Sequence, residues 1–134
     1  MSDKVTSIAV TEQVERAILA QAQIALPGEC CGLLLGSAGR IEIARPTANV
    51  AADPLRFFEI DPQALIAAHM AARGGGPDLL GYYHSHPAGP AEPSPRDVAA
   101  AGHDGRLWAI AGQGRIGWWR DTVHGFVAVA AQVI

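Results

Sequence analysis

His84 and His86 stand two residues apart in the run Gly81-Tyr82-Tyr83-His84-Ser85-His86-Pro87. If that run is a strand, alternate side chains share a face, and both imidazoles project on the same side. Two ligands to one metal ion need that placement. Pro87 ends the strand, and a chain leaving a strand end can loop back over it. Asp97 could then supply a third ligand. Two imidazoles and one carboxylate with an open fourth position make a catalytic zinc arrangement.

Each piece also has a plainer reading. A His-x-His pair alone describes many surface histidines. Ser94-x-x-Asp97 alone reads as a helix start, with Ser94 as N-cap, Pro95 at the first helical position and Asp97 where a capping-box carboxylate sits. The two readings are compatible, because a capped helix start also fixes Asp97 in space. Glu29 follows the helix-breaking Pro27-Gly28 and precedes an apolar run, Cys31 to Leu35. Taken alone, it is a solvated carboxylate at a junction.

The elements that must position these residues follow from patterning. Val5 to Val10 has β-branched character and suits a first strand. Thr11 can cap a helix over residues 12–26, where Val14, Ile18, Ala22 and Ala25 recur at helical spacing. Strands are expected over Cys31–Gly36 and Arg40–Arg45, with a turn at Ser37-Ala38-Gly39. Pro46 to Leu55 reads as a loop and Arg56 to Ile60 as a short strand. A second helix begins at Asp61-Pro62 and ends at Gly74-Gly75-Gly76-Pro77, a glycine run without the Lys-Ser/Thr of a phosphate loop. Leu79 onward is the His-x-His strand, and a proline-rich loop, Pro87 to Pro93, leads to a third helix at Ser94. Leu107–Ala111, Ile116–Arg120 and Gly125–Ile134 read as strands. Trp118 and Trp119 should face opposite sides, one toward the core and one toward a surface or edge. This alternation predicts an α/β fold, one mixed β-sheet flanked by helices, with residues 1–134 as one domain.

Bulk properties narrow the function classes. The chain is 49% hydrophobic and 17% charged, which supports a real core. The net charge is −3, and its ten basic residues, nine of them Arg, form no stripe, so no nucleic-acid partner is expected. Met1 to Val10 lacks the apolar core of a signal peptide, and the longest apolar runs are too short to span a bilayer. A cytoplasmic protein with no membrane partner is expected. Cys30 and Cys31 are adjacent, which disfavours an unstrained disulfide, and at least one should be a buried small apolar residue. His69, His103 and His124 are read as structural or solvated.

The combination is more specific than its parts. His84-x-His86-Pro87, six residues, Ser94, two residues, Asp97, with Gly81 before and Glu29 upstream, resembles the signature of the JAMM (MPN+) zinc metallopeptidases. Pro27-Gly28-Glu29-Cys30-Cys31-Gly32-Leu33-Leu34-Leu35-Gly36 is similar to that family's Glu-x-Cys-Gly-Leu-Leu-x-Gly segment. Asn49 and Phe57-Phe58-Glu59-Ile60-Asp61-Pro62 are similar to small stand-alone bacterial members. The resemblance covers roughly Pro27 to Ile110. One departure is the strand end Ala111-Gly112, where the family often has Ser.

The resemblance implies a cytidine-deaminase-like layering and one zinc ion per chain on His84, His86 and Asp97. It implies Glu29 as general acid–base and Ser94 as a donor to the oxyanion. It also implies hydrolysis of a peptide or isopeptide bond at the C-terminal tail of a ubiquitin-like partner, here a sulfur-carrier protein or its adduct. The rival readings are a non-catalytic scaffold of the same fold, which would lack ligands that this chain has, and a phage-tail-type peptidase. A nucleobase deaminase would need His-x-Glu with Pro-Cys-x-x-Cys, and a zincin His-Glu-x-x-His; none of these occurs. Oligomeric state and the identity of the released residue stay open.

Overall fold

A computed structural model describes residues 7–134. The elements in chain order are β1 (Ser7–Val10), α1 (Glu12–Ala25), β2 (Cys31–Ser37), β3 (Arg40–Thr47), α2 (Pro62–Arg73) and β4 (Asp78–His86). They continue with α3 (Pro95–Ala100), β5 (Leu107–Gly112), β6 (Arg115–Thr122), β7 (Gly125–Ala128) and β8 (Ala130–Val133). Of the expected first strand, Ser7–Val10 is strand; Val5 and Thr6 lie outside the described residues, as does the Met1–Thr6 part of the segment read as lacking a signal peptide.

The eight strands of the described residues join one mixed sheet in the order β7-β6-β5-β4-β2-β3-β1-β8. The pairs β1–β3, β1–β8 and β4–β5 are parallel, and the rest are antiparallel. The fold class expected from patterning therefore holds. Gly125–Ile134, expected as one strand, is two. β7 and β8 lie at opposite ends of the strand order yet are separated in the chain only by Val129, whose N–H donates to the Trp118 carbonyl at 2.9 Å. The sheet must therefore curl until its two edges meet at that residue.

The helix α1 fills the concave side. Thr11 caps it, accepting from the Val14 N–H at 3.3 Å. Val14 and Ile18, both buried, pack with Val10, Leu34, Tyr83 and Trp118. On the convex side α2 covers Leu33, Leu35 and Leu79 through Ala68. β2 is thus buried on both faces, which explains why it reads as an unbroken apolar run rather than an alternating one. Cys30 and Cys31 are both free and buried, on opposite sides of the sheet. Trp118 is in the core, and its indole N–H donates to Glu15. Trp119 is half-buried and donates to the Ala91 carbonyl.

Arg56–Ile60 is not a strand. One bridge, Asn49 to Ile60, is all the pairing it makes. The Asn49 side chain takes the place of a ladder: its amide N–H groups donate to the carbonyls of Glu29 (3.0 Å) and Phe57 (2.9 Å), and its oxygen accepts from the N–H groups of Ala51 and Glu59 (both 3.1 Å). A single side chain thereby satisfies four backbone groups, two of them within Arg56–Ile60. The loop expected from Pro46 begins two residues later. Pro46 lies opposite Gly32, on a part of β3 beyond its pairing with β1, so its missing N–H leaves no ladder bond unmade.

Candidate active site

Three local devices build the site. The first is β4, which carries His84 and His86 on one face. Between them Ser85 points the other way, and its hydroxyl accepts from the Cys30 N–H at 2.9 Å while its own N–H donates to the Cys30 carbonyl. The antiparallel register pairs Cys31 with His84, and these bonds carry it one residue further. Glu29 is thereby set beside His86.

The second device is the start of α3. The Ser94 hydroxyl accepts from the Asp97 N–H at 3.1 Å, and the Asp97 carboxylate accepts from the Ser94 N–H at 2.9 Å. This capping box holds Asp97, which is buried, against both histidines.

The third is the Pro87–Pro93 loop. The Pro90 carbonyl accepts from His86 Nδ1 at 2.8 Å. The loop reaches that position because Gly112 and Gly117 give it room. A Cβ on Gly112 would stand 2.5 Å from the Gly89 carbonyl oxygen, and one on Gly117 2.1 Å from that of Ala91.

His84 Nε2 lies 3.1 Å from His86 Nε2 and 3.2 Å from Asp97 Oδ2, and His86 Nε2 lies 3.1 Å from the same Asp97 Oδ2. Four donors about 2.0–2.1 Å from a tetrahedral centre would be roughly 3.3 Å apart, so these three atoms nearly trace one face of such a shell. The protonation states agree. A carbonyl can only accept, so His86 Nδ1 carries a proton, and it is Nε2, facing Asp97, that would give up its proton to present a lone pair to a metal. Burial pushes His84 below the ordinary histidine range, and its contact with Asp97 offsets this only in part. Burial also lowers His86, but its bonds to Asp97 and the Pro90 carbonyl outweigh that and raise it. For Asp97 burial pushes upward, yet hydrogen bonds from His84, His86 and Ser94 hold its carboxyl well below the usual carboxylate range. Two imidazole nitrogens and an ionised carboxylate that converge in this way form a group fit to hold a metal ion.

His86, Asp97, Glu29 and Ser94 line one cleft of about 1130 Å³, walled by Phe57 and Arg96. Desolvation pushes the Glu29 carboxyl up to about 7; the charge of His86 pulls it down and that of Asp97 adds to the rise. The structure thus brings together all five residues singled out by motif spacing. His69, His103 and His124 stay outside the cleft; His103 caps a turn, its N–H donating to Asp121 and its Nδ1 to the Thr122 carbonyl.

Sequence reading missed the residues that hold His84. The Phe58 ring stacks on the His84 imidazole with centroids 4.1 Å apart, and Trp108 meets it edge-on at 5.7 Å. Trp108 comes from the neighbouring strand β5 and Phe58 from an irregular segment, so no local spacing ties either to His84. The Ser85 role had a readable signal: the middle residue of a His-x-His strand must face the opposite side.

A strand bearing two imidazoles, answered by a capped aspartate on the next helix, defines a JAMM-class domain on the JAB/MPN fold. Residues 11–122 match the model of prokaryotic homologs of the JAB domain (Prok-JAB), and the chain belongs to that family. It is 37% identical over 86 residues to a protein named desampylase from Haloferax volcanii, a match covering 63% of this chain and 62% of that one. It is 50% identical over 66 residues to the "Probable TtuB-protein conjugate cleaving protease" of Thermus thermophilus, covering 48% of this chain and 45% of that one. The matched segments therefore span less than two thirds of either relative. A protein of Desulfitobacterium hafniense solved in solution superposes with a TM-score of 0.82 at 29% identity, over 95% of this chain and 92% of that one. No described helix is long and apolar enough to cross a membrane.

Proposed function

We propose that the chain is a zinc-dependent peptidase, with one zinc ion on His84, His86 and Asp97, that hydrolyses a bond at the C-terminal tail of a ubiquitin-like sulfur-carrier protein. The convergence of His84, His86 and Asp97 as a group able to hold a metal ion, with His86, Asp97 and Glu29 lining one cleft, carries this reading. The two relatives named for a desampylase and for cleavage of TtuB-protein conjugates support the substrate class.

Zinc in such a site acidifies water and polarises a carbonyl. The protein's own groups manage the protons. Glu29, with its carboxyl near neutrality, takes a proton from the attacking water at a carboxylate oxygen and returns it to the departing amine. The water oxygen bonds to the carbonyl carbon as the C–N bond breaks. Ser94 Oγ accepts the Asp97 N–H in the cap, which leaves its own O–H proton to donate to the developing oxyanion. Capping and catalysis therefore do not compete for that hydroxyl.

Zinc-loaded protein incubated with a sulfur-carrier protein extended beyond its Gly-Gly end should release the extension, read as a mass loss on the intact carrier. An unchanged mass across several such adducts would remove the peptidase reading. Ser94→Ala should lower kcat by about a hundred- to thousandfold with unchanged zinc content, and lower stability by roughly 0.5–2 kcal/mol through the lost cap. A lower melting temperature with near-normal turnover of the folded protein would reduce Ser94 to a cap alone.

A further inference from the structure

The cleft carries two arginines, and they differ in one respect. Arg56 is engaged by Asp53 at 3.3 Å. Arg96, exposed, makes no ion pair with a carboxylate among the described residues, although Glu59 and Glu92 line the same cleft. Its guanidinium lies instead on the face of Phe57, Cζ 3.6 Å from the ring centroid. Both partners are fixed from behind. Phe57 is tied through its carbonyl to the Asn49 amide, and Arg96 stands inside the capped turn between Pro95 and Asp97.

A guanidinium held over an aromatic face by its central carbon leaves N–H donors at its rim for a ligand. Its orientation is set before a ligand arrives, so less rotamer entropy is lost when a carboxylate binds in a two-pronged fashion. The position supports this use. Arg96 lines the same cleft as Glu29, His86 and Asp97. In an α-linked leaving residue the carboxylate carbon is only about 2.5 Å from the scissile nitrogen. A cation in the wall of that cleft is placed to meet the carboxylate of a leaving amino acid. It finds no counterpart when the leaving amine is a lysine side chain, whose own carboxyl group is tied up in a polypeptide.

We infer that Arg96, stacked on Phe57, anchors the free α-carboxylate of the leaving group, so that the site favours removing a terminal amino acid from a tail over cleaving an isopeptide bond to a folded protein. This rests on the peptidase reading above. Hydrolysis adds the water oxygen to the tail carbonyl and a proton to the amine, yielding a carboxylate-ended tail and a free amino acid. Arg96 takes no part in the proton transfers and acts on specificity alone.

The test uses a sulfur-carrier protein extended by one alanine at its Gly-Gly end, prepared as the free acid and as the primary amide. With zinc-loaded protein, the acid should be preferred in kcat/KM by at least about tenfold, as a charge-assisted hydrogen bond confers. Arg96→Gln should bring that ratio close to one, and Arg96→Lys should keep part of it. Calorimetric binding of both carriers to zinc-loaded Glu29→Gln protein gives a second readout, in which the acid should bind more tightly and the preference should vanish in the Glu29→Gln/Arg96→Gln double variant. Equal rates for acid and amide in the wild type, or a ratio that survives Arg96→Gln, would overturn the anchor while leaving the peptidase intact. Tighter binding of the acid with cleavage of neither carrier would support the anchor and overturn the peptidase.

Discussion

Glu29→Gln protein should take up zinc like the wild type, still bind substrate, and turn over at least about a hundredfold more slowly, the lower end of what a positioned general base contributes. Glutamine keeps the size and hydrogen-bonding shape of the side chain but takes no proton near neutral pH. The reason to expect a large effect is positional. Glu29 lies beside His86 in the extended β2–β4 register, faces the cleft, and is not needed to complete a three-ligand metal group. Steady-state kinetics beside elemental analysis separate the outcomes. A wild-type rate would make Glu29 an ordinary carboxylate, and zinc loss along with activity would make it a ligand.

The same substitution has a stability signature in metal-free protein. Glu29 is shifted from an ordinary 4.5 up to about 7, so the folded chain holds a proton that the unfolded chain releases. Its contribution to stability is full below pH 4.5 and is lost as pH rises through about 7. The amide of the Glu29→Gln variant stays neutral throughout. The melting temperature of chelated Glu29→Gln protein should therefore match that of the chelated wild type near pH 4.5 and exceed it above pH 7. Parallel melting curves across that window would contradict the burial of this carboxyl.

The second large effect concerns the metal. His86→Ala and Asp97→Asn should each weaken zinc binding by more than the about 10–100-fold that losing an outer partner of a ligand costs. Competition against a chromogenic chelator measures this directly. Asp97→Asn is the sharper of the two. Its side-chain oxygen can still accept the Ser94 N–H, so the α3 cap survives while the charge facing both histidines is gone. Its expected result is a normally folded protein that binds zinc poorly. Full zinc retention in both variants would mean that the cluster is a structural histidine–aspartate network.

What the sequence shows and hides follows from the range of each interaction. Ser94-Pro95-Arg96-Asp97 is a local device, and its cap could be read from residue types alone. His84 and His86 needed only the two-residue period of a strand. Arg56–Ile60 misled because its backbone is met by the Asn49 side chain, the Asp53 carbonyl and the Val50 N–H rather than by a neighbouring strand. The division of 125–134 at Val129 depends on where the curled sheet ends, which no window along the chain records. Phe58 and Trp108, which set the His84 ring, meet it only after β4 and β5 have paired.

The two halves of the site are unequal in how much chain they enclose. His84 and Asp97 close a span of 13 residues, whereas the Cys30–Ser85 bond that seats Glu29 closes one of 55. For a flexible chain the longer closure costs about 1.3 kcal/mol more entropy. The His84–Asp97 span is therefore the less costly closure. Under the proposed mechanism, a chain in which β2 had come away from β4 would keep that short span and lose Glu29 from the site. Such a chain would bind metal without hydrolysing a tail.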